Sequence, residues 1–312
     1  MLSQNADIAL LTDHRYAASE ASEGDWYFGN ILREDWLLQE ALQKHGLSSI
    51  RLDWEQPDVD WSAFRCAVFR TPWNYFERYG KFTTWLEQTE KQTRLINDSS
   101  TIWWNLDKHY LADLEQRGIS VVPMRFLEAG SEMGLSQLLR ETGWEEAVIK
   151  PCVSGGAWHT YRVNKDNADE IESVIRPLLE DYAFILQPFM NEIMESGEDS
   201  LMVINGEFTH AVRKIAKPGD FRVQDDHGGT YHLCTPTNEQ IKLAEQAMDA
   251  IDPVPQYGRV DMVKDNDGCW SVMELELIEP ELWLRLHPSA AEKLARAIAH
   301  ATYQVQEPGR SV

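Results

Sequence analysis

The chain has 312 residues, 43% of them hydrophobic, which is enough for two or three domains with their own cores. Its 51 acidic residues against 29 Lys and Arg give a formal net charge of -22, so nucleic acids and anionic membranes are not expected as partners. No apolar run is long enough to span a membrane, and the four cysteines lack CxxC spacing, so we predict a cytoplasmic protein.

Strands and helices alternate over the first third of the chain. Apolar runs typical of buried strands are separated by segments with apolar residues at helical spacing. Strands are predicted at 7–12, 50–54, 66–70 and 95–96, and helices at 31–44 and 82–89. Because such alternation produces parallel sheets with covered faces, we predict an α/β domain at residues 1–97.

The rest of the sequence mixes hairpin signals with helices, which is typical of α+β domains. In a second domain, residues 98–187, helices are predicted at 105–117, 135–140 and 166–181, and extended segments at 121–123, 147–150, 159–163 and 184–187. In a third, residues 188–312, we predict strands 200–204 and 207–213 around Asn205-Gly206, a loop at 221–235, and helices at 238–251 and 288–302. Thr237 or Asn238 is expected to cap the first of these helices.

A second hairpin in the third domain brings carboxylates together. If the Asp-Gly pair at 267–268 forms a two-residue turn, Asp261 lies opposite Glu274, and Arg259 opposite Glu276. Side chains alternate along a strand, so these four groups share one face. Three carboxylates on one face repel unless a cation lies among them, which favours a Mg²⁺ site. The alternative is a structural salt-bridge face around the arginine.

Two lysines and a glycine-containing loop are candidates for phosphate binding. Lys150 ends a predicted strand and is followed by Ser154, Gly155 and Gly156. Glycines let backbone N–H groups approach phosphate oxygens, and a lysine adds a point charge. Lys108 lies near the start of a helix, where the dipole disfavours a cation unless an anion is bound. The alternatives are an ordinary turn and two solvated lysines. No Walker or Rossmann glycine motif is present in the sequence.

A predicted strand that runs into a proline suits an adenine ring. Gln187 ends this strand, and Phe189 follows Pro188. The strand edge offers backbone groups to the base, and the phenylalanine offers a packing surface. The alternative is an ordinary buried strand.

A basic cluster opposes the acidic composition of the chain. It contains Arg213 and Arg222, together with Lys214 and Lys217, and it is followed by an acidic segment at 225–227. Arginine can hold a phosphate or carboxylate with two hydrogen bonds. The alternative is a solvated hairpin.

One loop of the first domain is a candidate for substrate binding. Arg70 ends a predicted parallel strand, and Trp73 and Tyr75 follow it. Ligands of open α/β sheets bind beyond the carboxyl ends of the strands. Arg70 is therefore predicted to meet a substrate carboxylate, with the two aromatic side chains as walls. The alternative is a packing loop stiffened by its proline.

The ordered set of these residues resembles the ATP-grasp superfamily, in particular its glutathione-synthetase-like ligases. The resemblance covers residues 98–280 and implies two α+β subdomains that clasp ATP behind an N-terminal α/β domain. It implies that Lys108, Lys150 and the loop at 154–156 bind the ATP phosphates and that Gln187 and Phe189 border adenine. It further implies that Arg213 and Arg222 face a phosphate or acyl phosphate, and that Mg²⁺ is held by Asp261, Glu274 and Glu276. Glu276 stands where that family usually has Asn, which adds a negative charge.

The Arg-Thr-Pro-Trp-Asn-Tyr loop and the Glu-Leu-Glu-Leu-Ile-Glu-Pro segment also look like the branch that contains the cycloserine-forming cyclo-ligase. This resemblance implies an ATP-dependent ligase that joins a carboxylate to an amine, between molecules or within one. The expected route is an acyl phosphate, with release of ADP and phosphate, on a small amino-acid-like substrate. The alternatives are a phosphotransferase and a nucleotide-binding module without turnover. A homodimer is compatible with the sequence.

Overall fold

The computed structural model describes residues 6–223 and 228–303, and the acidic segment 225–227 lies outside them. Over these two ranges the strands form three sheets. The first is parallel, in the order β2-β1-β3-β4, and confirms the predicted α/β fold of the N-terminal part. Its elements are β1 (Ile8–Thr12), α1 (Trp26–Lys44), β2 (Ser49–Asp53), β3 (Cys66–Thr71), α2 (Tyr79–Thr89) and β4 (Arg94–Ile96).

The second sheet is antiparallel, in the order β5-β8-β6-β7. The predicted helix at 105–117 is wrong at its start: residue 105 ends a separate helix, residues 106–109 form turns, and the helix in this range runs only from 110 to 116. The predicted helix at 166–181 already ends at Ile175. The elements are α3 (Ser99–Asn105), α4 (Tyr110–Gln116), β5 (Arg125–Leu127), α5 (Leu135–Thr142), β6 (Glu146–Pro151), β7 (Tyr161–Asn164), α6 (Ala168–Ile175) and β8 (Phe184–Pro188).

The third sheet is also antiparallel, in the order β11-β10-β9-β12-β13. Its edge strand β11 lies within the segment 221–235, for which a loop was expected, so that expectation is wrong there. Thr237 is the N-cap of α8 and forms a capping box with Gln240. The elements are α7 (Glu192–Glu195), β9 (Glu198–Ile204), β10 (Glu207–Ile215), β11 (Thr230–Cys234), α8 (Asn238–Asp249), β12 (Tyr257–Lys264), β13 (Trp270–Glu276) and α9 (Ser289–Tyr303).

Helix α9 packs against α1 of the N-terminal part as well as against β9 of its own sheet. Leu294 and Ile298 of α9 are buried in one apolar cluster with Leu38 and Leu42 of α1 and with Leu10 of β1. The boundaries at 97 and 187 stay a prediction, and this packing crosses the first of them. Within the two described ranges, no helix is both long and apolar enough to cross a bilayer.

Buried asparagines fix the β12–β13 hairpin to the preceding segments. Asn97 Nδ2 donates to the carbonyl oxygens of Tyr257 and Leu277, each at 2.8 Å. Asn105 Nδ2 donates to the Leu275 carbonyl at 2.8 Å, and its Oδ1 accepts from the Leu277 N–H at 2.9 Å. Because the amides satisfy backbone groups that no strand covers, the carboxylate-bearing end of β13 is held rigidly.

Candidate active site

A cavity of about 440 Å³ lies where the three sheets meet. This volume is in the usual range for a small-molecule site. One side is formed by strands β6, β8, β10, β12 and β13 with the glycine loop, residues 153–158, and the other by the aromatic loop, residues 72–77. Of the residues predicted from sequence, it is lined by Trp73, Tyr75, Lys108, Lys150, Ser154, Gly155, Gly156, Gln187, Arg222, Asp261, Glu274 and Glu276.

The carboxylate hairpin has the predicted pairing but not the predicted turn. Asp261 lies opposite Glu274 and Arg259 opposite Glu276, which confirms the expected register. The connection, however, is a five-residue loop at 265–269, closed by a hydrogen bond from the Asp265 N–H to the Cys269 carbonyl at 2.8 Å.

A β-bulge restores the register between this loop and the carboxylates. Met262 pairs with Val272, whereas Asp261 pairs with Glu274, so Met273 is an extra residue on β13. A bulge of this kind turns a side chain to the other face of the sheet. Met273 and Glu274 therefore both line the cavity.

Glu274 is held by both candidate phosphate-binding lysines. Its carboxylate oxygens lie 3.1 Å from Lys108 Nζ and 3.0 Å from Lys150 Nζ. Burial favours the neutral acid, but the two ammonium groups outweigh it and lower the pKa of Glu274 to about 2. The glutamate is thus ionised and stands where an incoming phosphate would meet the same lysines.

Asp261 is saturated with donors. Arg259 donates to both its oxygens at 2.8 Å, Lys214 Nζ lies 3.1 Å from Oδ2, and Ser200 Oγ donates to Oδ1 at 2.6 Å. Burial opposes ionisation of Asp261, yet these cations hold its pKa well below the usual range. Arg259 also binds Glu276, whose pKa burial raises to about 8.

The site therefore supplies its own counter-charges. Lys108, Lys150, Lys214 and Arg259 relieve the repulsion from which a cation was expected, so that argument alone does not require a metal. The donor set nevertheless fits Mg²⁺, which prefers carboxylate oxygens. The side chains of Glu274 and Glu276 are 26% and 24% exposed and face the cavity. Asp261 could bind a metal only after releasing donors.

The glycine loop is anchored by a lysine and packed against the aromatic loop. Lys108 Nζ donates to the Ser154 carbonyl at 2.9 Å and lies 3.2 Å from its Oγ. A Cβ at Gly155 would lie 2.8 Å from Cε1 of Phe76, so only glycine fits there. Gly156 has a φ of +55°, which glycine adopts easily. Gly155 is thus required by the packing of the loop, whereas the positive φ at Gly156 favours glycine.

Gln187 fits the expected base-binding end of the cavity. Its Nε2 is buried and has no hydrogen-bond partner in the described structure, so it offers a donor to a ligand acceptor. Met190 and Ile193 add apolar walls. Phe189 does not line the cavity: it is buried, with the Arg162 guanidinium 3.8 Å from its ring centroid.

Lys214, and not Arg213, faces the cavity. Arg213 lies on the opposite face of the sheet, where its Nε donates to Asp199 Oδ1 at 2.6 Å beside Gln240 of α8. Lys214 pairs across the sheet with Glu198 and binds its carboxylate. Arg222 lines the cavity and donates to Asp220 at 2.7 and 3.0 Å.

Arg70 is also absent from the cavity wall. Its guanidinium is buried against Asp35 of α1, with Nε 3.0 Å from the carboxylate, so it does not meet a ligand there. Arg15 lines the cavity instead, from the short turn that follows β1, and donates to Asp13. Trp73 is held in the wall by a hydrogen bond from its Nε1 to the Glu279 carbonyl at 2.9 Å.

Sequence reasoning missed several cavity residues. They lie on helices, strands and loops that only the tertiary fold brings to the cavity, so local patterns do not reveal them. The set comprises Arg15, Tyr16, Tyr27, Asn105, Tyr110, Glu198, Glu279 and Glu281. Lys214 was named only as a member of the basic cluster. Arg259 was noted only as a salt-bridge partner.

Comparison with known proteins identifies the family. The chain is 31% identical over 280 residues to the cycloserine biosynthesis protein DcsG of Streptomyces lavendulae, an alignment that covers 84% of this chain and 91% of the relative. The chain belongs to the cycloserine-synthetase branch of the ATP-grasp ligases. Residues 8–97 match the family described as D-cycloserine synthetase DcsG, N-terminal domain, and residues 127–253 match the prokaryotic glutathione synthetase ATP-grasp domain.

Solved structures agree with this membership. The crystal structure of D-cycloserine synthetase DcsG superposes with a TM-score of 0.81 at 29% identity, covering 95% of this chain and 99% of the other. D-alanine–D-alanine ligase from Bacillus anthracis, complexed with ATP, has a TM-score of 0.62 at 15% identity, with 96% and 98% coverage, and shares the fold. The protein is an ATP-dependent ligase with ATP and Mg²⁺ as cofactors, as the sequence predicted.

Proposed function

We propose that the enzyme joins a carboxylate to a nitrogen within one small amino-acid-like molecule, through an acyl phosphate. The observation that carries this proposal is the charge arrangement of the cavity. Lys108, Lys150, Lys214 and Arg259 alternate with carboxylates at one end, and aromatic side chains enclose the other. A phosphorylated carboxylate would thus form at the boundary between the two ends.

The basic side chains would act by position and charge. A substrate carboxylate oxygen attacks the γ-phosphorus, forming a C–O–P linkage and breaking the bond to ADP. Lys108, Lys150 and the glycine loop hold the phosphates, while Lys214 and Arg259 reach the transferred group. Glu274 and Glu276 would hold Mg²⁺, which when bound would supply further neutralisation of phosphate charge. A substrate nitrogen then attacks the acyl carbon and loses a proton, while the C–O bond to phosphate breaks and phosphate leaves.

The aromatic end of the cavity favours a small substrate. Tyr16 and Trp73 lie edge to face with ring centroids 5.5 Å apart, and Tyr27 lies 6.2 Å from both rings. Arg15 borders these rings and offers a cation to a polar substrate group. The relative is named for the biosynthesis of a small cyclic amino-acid derivative, which supports cyclisation of a single molecule here.

The test is a comparison of one-molecule and two-molecule substrates. Purified enzyme with MgATP is given either O-ureido-serine, as each enantiomer, or pairs of amino acids and amines. ADP and phosphate release are measured, and products are identified by mass spectrometry. We expect substrate-dependent ADP release with equal phosphate release from the single compound. Turnover only with pairs would contradict cyclisation, and a stable phosphorylated product without free phosphate would contradict ligation through an acyl phosphate.

A further inference from the structure

One cavity carboxyl group has no basic partner. The other six carboxyl side chains that line the cavity each have a lysine or arginine within 4.0 Å: Glu77, Glu198, Asp261, Glu274, Glu276 and Glu281. Within the described residues, Glu279 has no ion pair. In the other six the cation occupies carboxylate oxygens, whereas among the described residues no lysine or arginine lies within 4.0 Å of the Glu279 carboxylate. The oxygens of Glu279 are therefore the ones best placed to meet a proton on a substrate nitrogen.

Glu279 also lies between the phosphate end and the aromatic end of the cavity. It follows β13 by three residues, beyond the metal-binding pair, and its backbone carbonyl holds Trp73 of the aromatic loop. The Tyr75 hydroxyl acts on its carboxyl group and lowers the pKa of that acid, against the effect of burial. It thus borders both the phosphate end and the substrate end. The charged and titratable groups that face it are Tyr75, Lys108, Tyr257, Glu274 and Glu276.

We propose that Glu279 is the general base of the ligation step, an assignment that rests on the acyl-phosphate route proposed above. The nucleophilic nitrogen attacks the acyl carbon and forms the C–N bond. The C–O bond to phosphate breaks, and phosphate leaves with the electron pair. The proton on nitrogen passes to a Glu279 carboxylate oxygen and from there to solvent. Such transfers typically contribute about 10²–10⁴-fold in rate.

The protonation state agrees with this role. Burial raises the pKa of Glu279 to about 7, while the Tyr75 hydroxyl and Lys108 act in the opposite direction. The base is active when ionised, so kcat/KM should fall as the pH drops below this pKa. Removal of the tyrosine hydroxyl should raise the pKa and move that fall to higher pH.

The experiment separates base catalysis from acyl-phosphate formation. Wild type and Glu279→Gln are assayed with MgATP and substrate, with and without hydroxylamine, which is largely uncharged at neutral pH and traps acyl phosphates without a base. We expect the variant to lose ligation by about 10²–10⁴-fold. It should form hydroxamate at least as fast as wild type. The residual ligation of Glu279→Gln should no longer fall at acidic pH. In the Tyr75→Phe variant, which keeps Glu279, that fall should lie at higher pH than in wild type.

Each outcome decides a separate point. Ligation by Glu279→Gln within about threefold of wild type, against the 10²-fold expected of a base, would overturn the assignment. Equal loss of ligation and hydroxamate would overturn it too, since the residue would then act on phosphorylation or folding. Absence of hydroxamate from wild type, with product still formed, would contradict the acyl-phosphate route instead. Glu207→Gln, which alters an exposed pair with Lys293, is the matched control and should keep both activities.

Discussion

Substitution of Gly155 by alanine tests whether contact between the two loops shapes the nucleotide site. The added methyl would lie 2.8 Å from Cε1 and 3.1 Å from Cδ1 of Phe76. Carbon atoms in contact normally lie ~3.5–4.0 Å apart. The ring cannot swing aside, because it is buried between Tyr75 and Trp158, at centroid distances of 5.7 and 5.8 Å. The glycine loop must therefore move away from the cavity.

The size of the effect follows from the overlap. Overpacking of this kind costs about 1–3 kcal/mol. If the methyl group destabilises the loop conformation that binds nucleotide by this amount, the apparent Kd for MgADP should rise roughly 5- to 150-fold. Isothermal titration calorimetry measures this directly. Gly80→Ala is the matched control, because a methyl there meets no atom within 4 Å and lies inside α2, so nucleotide affinity should not change.

A double-mutant cycle identifies the cause. In a Phe76→Ala background the methyl has room, so Gly155→Ala should have little further effect on nucleotide affinity. An unchanged Kd in the single variant would refute the reasoning. So would an equal loss with and without the Phe76 ring, because the loop would then respond to the methyl group for a reason other than this contact.

Three further substitutions test the assignments of individual residues. Lys214→Met should lower kcat by about 10²–10³-fold through loss of charge stabilisation, while Arg213→Met keeps it, as measured by ADP release. Gln187→Leu should raise the KM for ATP about tenfold without lowering the melting temperature of free enzyme, because its Nε2 has no partner to lose in the described structure. Asp35→Asn leaves Arg70 buried without a carboxylate and should destabilise the fold by about 3–5 kcal/mol in urea unfolding.

Local sequence patterns were sufficient to predict most strands and helices. They did not predict the places where a tertiary contact interrupts a helix. Strands β1 and β3 of the first sheet each begin with four apolar residues, so their positions follow from the sequence. The helix predicted at 105–117 keeps its apolar spacing through residues 106–109. At these residues the Lys108 N–H donates to the Cys152 carbonyl, just before the glycine loop, at 3.0 Å instead of to a helical carbonyl. Such a contact leaves no local signal.

Two β-bulges explain why the predicted side-chain positions are correct in the β12–β13 hairpin and wrong for Arg213 in the β9–β10 hairpin. From the turn at Asn205-Gly206, simple pairing would place Arg213 opposite Glu198 on the cavity face. The structure has an extra residue at Thr209, so Lys214 takes that place. In the β12–β13 hairpin, the bulge instead compensates for a longer turn. Bulges reverse side-chain parity, and sequence alone did not indicate either one.

Because α9 packs on α1, the N-terminal segment that matches a family of its own is not a complete folding unit. Residues 8–97 match a family of their own. Expressed alone, however, this segment would expose Leu38 and Leu42, which α9 covers. A chimaera that takes its N-terminal region from another ligase should therefore fold only if it takes the C-terminal helix from the same parent.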